Sequence, residues 1–126
     1  MKRPTFFGLI VALLVIAASA VWAHEKVTLT GYVVDIVCFA DHGKDAPEAA
    51  IKVAAEHTKD CALMEDCVKG GYGIYADGKW YPFDAKGNEL AKTVFDKTGK
   101  KDHIKMTVEG IKHEGKIQVQ NLTEAN

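Results

Sequence analysis

Tyr72-Gly-Ile-Tyr-Ala-Asp-Gly-Lys-Trp-Tyr-Pro-Phe83 sets the reading of the whole chain. It holds two short runs rich in aromatic and β-branched residues, Tyr72 to Ala76 and Lys79 to Phe83, around Asp77-Gly78. Asp-Gly readily supplies the two left-handed residues of a tight two-residue turn, so the stretch predicts an antiparallel hairpin. A lone hairpin is marginal in water and needs further strands. Upstream, Lys26 to Val37 alternates at Val27 and Leu29, then runs apolar through Val33, Val34, Ile36 and Val37; it reads as a strand in which Gly31 suits a bulge or bend. Downstream, Asp84 to Gly87 reads as a turn and Asn88 to Asp96 as a short helix with Leu90, Ala91, Val94 and Phe95 inward. His103 to Glu109 and Lys116 to Leu122 then alternate as two more strands, linked around Gly110 to Gly115.

Between strand one and the hairpin the period changes. Asp45-Ala-Pro-Glu48 has the form of an N-cap with Pro in the first turn, and Ala49 to Ala55 present a small apolar face. Asp60 can cap a further helical stretch, Cys61 to Lys69, that Gly70-Gly71 ends. The expected fold is mainly β with this helical insertion (about 45–69), an α+β chain built on a five-stranded OB-like Greek-key barrel. Its helices fall between strands 1 and 2 and between strands 3 and 4. The alternative is the same elements laid out as an open α+β sheet.

The chain has 126 residues, 48% hydrophobic and 26% charged, with a formal net charge of -1. That suits one ordinary globular domain and lacks the positive excess by which nucleic-acid binders attract phosphates, so no nucleic-acid partner is expected. Residues 1–23 differ in kind. Lys2 and Arg3 precede an uncharged run from Phe6 to Ala20, and small residues lead up to Ala23, the pattern of a secretory signal peptide. Cleavage after Ala23, with Ala18-Ser19-Ala20 as the other cut site, leaves 24–126 as a single domain that is periplasmic or secreted. An uncleaved leader is the one expected route to a membrane.

Export places Cys38, Cys61 and Cys67 in an oxidising compartment. Three is an odd number: at most one disulfide forms within the chain, and one thiol is left over.

Thr30-Gly-Tyr-Val-Val-Asp35 leading to Cys38, then His57-Thr-Lys-Asp-Cys61-Ala-Leu, Cys67, Gly71-Tyr-Gly73, Asp77-Gly-Lys-Trp-Tyr81 and Phe83-Asp-Ala-Lys-Gly87 form a pattern. In it the chain resembles a family of small exported bacterial OB-like proteins that carries no assigned activity. The resemblance implies that Cys38, His57, Cys61 and Cys67 belong together as a set.

Read as ligands, Cys38, His57, Cys61 and Cys67 make a Cys3His site for one tetrahedral ion. Zinc is the usual occupant, and softer Cu(I) could be helped by Met64. His57 and Cys61, four apart, would stack on one helical face. Cys67 would sit about 9 Å further along an unbroken helix, so a joint role requires a bend between Cys61 and Cys67 and a return of Cys38 to the same spot. The rival reading is one disulfide, Cys61–Cys67 or Cys38–Cys61, that staples the insertion, with His57 a partly exposed polar residue. The spare thiol could also link to a protein partner. Cleavage after Ala23 would put an α-amine and an imidazole on His24, a pair able to chelate Cu(II), or else a frayed terminus. His42, His103 and His113 have no partner pattern and read as surface residues.

Asp35 reads either as a catalytic carboxylate or, more ordinarily, as a turn cap or a partner for a Lys. Tyr72, Tyr75, Trp80 and Tyr81 read as a hairpin core, with a ligand-stacking face as the alternative. CxxC, G-x-S-x-G and H-E-x-x-H are all missing, so no catalytic residues are assigned. The sequence thus predicts a non-enzymatic exported domain that binds a metal ion or small ligand near the Cys/His cluster, or a structural module stapled by one disulfide.

Overall fold

The computed structural model describes residues 24–42 and 47–126. The leader read at 1–23 and the cap read at Asp45 lie outside the described residues. Ten elements follow one another: β1 (Glu25–Asp35), α1 (Ile36–His42), α2 (Pro47–Glu56), α3 (Lys59–Ala62), α4 (Glu65–Gly70), β2 (Tyr72–Ala76), β3 (Lys79–Pro82), α5 (Ala85–Lys97), β4 (Lys105–His113) and β5 (Lys116–Glu124). The strands form one five-stranded sheet in the order β3-β2-β1-β4-β5, and every neighbouring pair is antiparallel.

The turn residues set the registers. Asp77 (φ 51°) and Gly78 (φ 74°) are both left-handed, as are Glu114 and Gly115, so each hairpin closes on a two-residue turn. β1 is the hub. Its first part, Glu25 to Tyr32, pairs with β4, and its last part, Tyr32 to Asp35, pairs with β2. Gly31 stands just before the change of partner, where a Cβ would lie 2.2 Å from the Tyr75 carbonyl oxygen. The register irregularity is not there but at Glu109/Gly110, between β4 and β5.

The sheet is open, not a closed barrel. Among the described residues a single isolated parallel bridge, Phe83 to Ile117, joins the β3 and β5 sides. Asp84 reinforces it: its N–H donates to the Ile117 carbonyl at 3.1 Å, and its Oδ1 accepts from Val119 N–H at 3.2 Å. The same Oδ1 caps α5 by accepting from Gly87 N–H, so Asp84 to Gly87 is the opening of the helix rather than a separate turn.

Both faces of the sheet are covered. Successive residues on a strand point to opposite faces, and Val33 joins a core with Tyr72, Ile74, Phe83, Phe95, Met106 and Ile117, while Val34 joins Phe39, Ala50, Ala54 and Tyr75. The second cluster holds α1 and α2 against the sheet. Backbone bonds tie in the insertion: Ile36 N–H to Gly71 O (2.9 Å), Lys59 N–H to Lys101 O (2.8 Å) and His103 N–H to Ala55 O (2.8 Å). No helix among the described residues is long and apolar enough to cross a membrane.

Candidate metal centre

Three short helices deliver three thiols to one spot. Each cysteine is the third residue of its helix, Cys38 in α1, Cys61 in α3 and Cys67 in α4. At α1 the cap is Asp35, whose Oδ1 accepts from Cys38 N–H at 2.8 Å. At α3 it is Thr58, whose hydroxyl accepts from Cys61 N–H at 3.1 Å. A capping oxygen that takes an otherwise unpaired first-turn N–H fixes the local backbone. Asp35-x-x-Cys38 and Thr58-x-x-Cys61 therefore use one device to place two thiols. Met64 holds the cap position of α4 without a side-chain bond.

The bend required between Cys61 and Cys67 is present. α3 ends at Ala62, and Met64 is extended (φ −63°, ψ 143°) before α4 begins. Thr58, not Asp60, caps the first of these helices; Asp60 lies within it. His57 sits in the junction between α2 and α3, so its expected helical stacking over Cys61 and Met64 is not formed. Cys38 returns to the cluster because the chain turns into α1 directly after Asp35. The strand read as far as Val37 ends two residues earlier.

The sulfurs of Cys38, Cys61 and Cys67 and a carboxylate oxygen of Asp35 all lie within 4.8 Å of one another. All three cysteines are free thiols. Cys38 Sγ and Cys61 Sγ approach to 3.1 Å, well beyond the ~2.05 Å of a disulfide bond. Neither Cys38–Cys61 nor Cys61–Cys67 is bonded. The group is layered: Asp35 and Cys67 are buried, and Cys38 and Cys61 are half-buried. The latter two line a cleft of about 510 Å3 with Val53, Glu56, His57 and Thr58.

His57 is buried, not partly exposed, and it stands behind Asp35. Its Nε2 lies 2.5 Å from Asp35 Oδ2, with side-chain exposures of 4% and 0%. The ring sits edge-on to Phe95 at 6.3 Å, and its Nδ1 is buried with no partner among the described residues. Cys61 Sγ lies 4.0 Å from the same Oδ2. Asp35 thus meets the imidazole and the thiols at once. The spacing argument did not bring Asp35 into the cluster, although its capping position ahead of Cys38 was the signal that could have placed it there.

Electrostatics follow from this packing. Burial alone would raise the Asp35 carboxyl, but the His57 imidazole, the Cys38 N–H and the Cys67 thiol outweigh it and hold the carboxyl below its ordinary value. Burial also pushes the Cys67 thiol up to about 12, and the Asp35 carboxylate adds to the shift. The Cys38 thiol is raised by burial, by Cys61 and by Asp35. A carboxylate held ionised thus sits beside two thiols, Cys38 and Cys67, held neutral.

The hairpin aromatics serve packing. Tyr72 is fully buried and its hydroxyl donates to Ala62 O at 2.6 Å, beyond reach of a stacked ligand. Tyr75 and Trp80 pack with Phe39, Trp80 stacking on it at 4.1 Å. Tyr81 is partly buried under Lys112. Among the described residues Asp35 meets no lysine. His24 stacks on His113 at 4.9 Å, and exposed His103 pairs with Asp102 at 2.8 Å. His42 falls among residues whose side chains are not described. No protein-family model, curated protein or solved structure matches the chain.

Proposed function

We propose that this is an exported, non-enzymatic domain that holds one divalent metal ion between Cys38, Cys61, Cys67 and Asp35, with His57 supporting Asp35 from behind. The convergence of those four donors within 4.8 Å carries the reading. Around zinc, thiolate sulfurs at about 2.3 Å in a tetrahedron stand roughly 3.8 Å apart, a spacing that small side-chain rotations supply here. Charge favours a dication. Three thiolates beside a buried carboxylate are strongly disfavoured without one, as the raised Cys38 and Cys67 thiols indicate. A monovalent Cu(I) would offset only one of four negative donors. Zinc is therefore the preferred ion and copper the alternative.

The support given by His57 has a familiar logic: a partner that hydrogen-bonds a ligating carboxylate orients it. The Lys2-Arg3 pair followed by an uncharged run supports export. The hub role of β1 and the Phe83–Ile117 bridge support an OB-like ancestry for the open sheet. The 3.1 Å approach of Cys38 and Cys61 favours a second reading, an oxidised staple.

Metal analysis of the reduced chain tests the proposal. One zinc ion per chain should survive dialysis and be lost in Cys38→Ser and Cys67→Ser. His57→Gln should keep the stoichiometry but weaken affinity about 10- to 100-fold, the usual cost of losing such a supporting contact. Zinc retained by both serine variants would overturn the assignment.

A further inference from the structure

We infer that Cys38 and Cys61 form a redox-active pair whose closure to a disulfide releases the ion from the centre, an inference that rests on the metal reading above. The four donors are not equivalent. Asp35 and Cys67 form the buried floor, whereas Cys38 and Cys61 are half-buried and both line the cleft. Their sulfurs approach to 3.1 Å. Reaching the ~2.05 Å of a disulfide takes an approach of about 1 Å, which small rotations about the two cysteine χ1 torsions can supply. Their partners in the fold are separate, since Cys38 is carried by α1 and Cys61 by α3. Closure therefore cross-links the strand end to the insertion while leaving Cys67 aside.

The oxidant is a small external disulfide, RSSR, admitted by the cleft. One metal-bound thiolate of the pair attacks a sulfur of RSSR; the RS–SR bond breaks, a mixed disulfide forms and RS⁻ leaves. The second thiolate then attacks the protein sulfur of that mixed disulfide, forming Cys38–Cys61 and expelling the second RS⁻. The pair loses two electrons, RSSR gains two, and the ion keeps its charge. Its protein donors fall from four to two, Asp35 and Cys67, and it leaves through the cleft. The odd cysteine then has a place: Cys67 is the thiol that faces away from the oxidant in both states. The metal-bound and stapled readings become two states of one site.

The test uses the reduced full chain, zinc and oxidised glutathione, with free zinc followed by a colour-forming chelator and the protein by intact mass and peptide mapping. Zinc uptake is measured first, and its absence overturns the metal reading itself. After uptake, oxidised glutathione should release one zinc per chain in step with the loss of two hydrogens. The bond should map to Cys38–Cys61, Cys67 should stay open to alkylation in denaturant, and dithiothreitol should restore zinc binding. Cys67→Ser, which should bind zinc poorly, should still close the same disulfide. A disulfide that maps to Cys67, or zinc held at full stoichiometry after Cys38–Cys61 has closed, would overturn the inference while leaving the metal site standing.

Discussion

Asp35 uses both carboxylate oxygens. Its Oδ1 caps α1 through Cys38 N–H, its Oδ2 meets His57 Nε2, and the same oxygen lies beside the Cys61 sulfur. A fully buried carboxylate with one partner removed is costly, about 3–5 kcal/mol for a buried pair. His57→Ala should therefore destabilise the metal-free chain by that order in urea denaturation, and His57→Gln, which keeps a donor, by clearly less. Equal, small losses would show that the contact does little. The pH dependence has a defined sign. Because the folded Asp35 carboxyl is held below its ordinary value, its stabilising contribution is complete above about pH 4 and is lost as pH falls through the folded value. The stability gap between the metal-free chain and Asp35→Asn should narrow over that acid range. Cys67 runs the other way. Its thiol keeps its proton up to about 12 when folded, so it stabilises the metal-free fold below about pH 9 and loses that contribution as pH rises towards 12. Cys67→Ser should remove this alkaline loss.

At the scale of elements, the centre depends on how α4 ends and α1 begins. Gly71 closes α4 at φ 86°, ψ −176°, a region open essentially to glycine alone, and its carbonyl accepts from Ile36 N–H. A Cβ there would lie 2.7 Å from the Asn88 side chain, whose Oδ1 accepts from Tyr72 N–H. Gly71→Ala should cost about 1–3 kcal/mol in thermal or urea unfolding and weaken zinc binding, because it displaces Cys67 relative to Cys38. Unchanged affinity would mean that the helices are not coupled in this way. The hairpin at 72–83 was legible because Asp77-Gly78 fixes a turn locally. The insertion was only half legible. Helices of four to seven residues span barely two turns and show no 3.6-residue period to read. α1 was hidden altogether, since Ile36, Val37 and Phe39 look like continuing strand, and its start is set by the Asp35 cap rather than by propensity. The need for a bend after Cys61 came from distance alone and is met. Helical spacing and the family resemblance joined His57 to the three cysteines; the structure places it in the junction between α2 and α3, against Asp35 rather than stacked over Cys61.

For the molecule as a whole, the sheet places the centre at the end of its hub strand, where β1 stops and the insertion folds back over it. The alternation placed the strands, but whether the edges close depends on the accumulated twist, which no residue pattern states; among the described residues one isolated bridge at Phe83 to Ile117 is the outcome. Binding to the folded state alone raises stability by about 2.7 kcal/mol at a hundredfold excess over Kd. Zinc should therefore raise the Tm of the reduced chain by on the order of 10 °C, and a chelator should reverse it. The most direct test of the central claim is the proton count on zinc addition to the reduced chain at pH 7 in weak buffer. Thiols that ordinarily hold their protons at that pH must give them up to ligate, whereas the Asp35 carboxyl, already ionised, gives none. The account expects about three protons released per zinc bound. Zinc bound with no proton release, or no zinc bound at all, would contradict it.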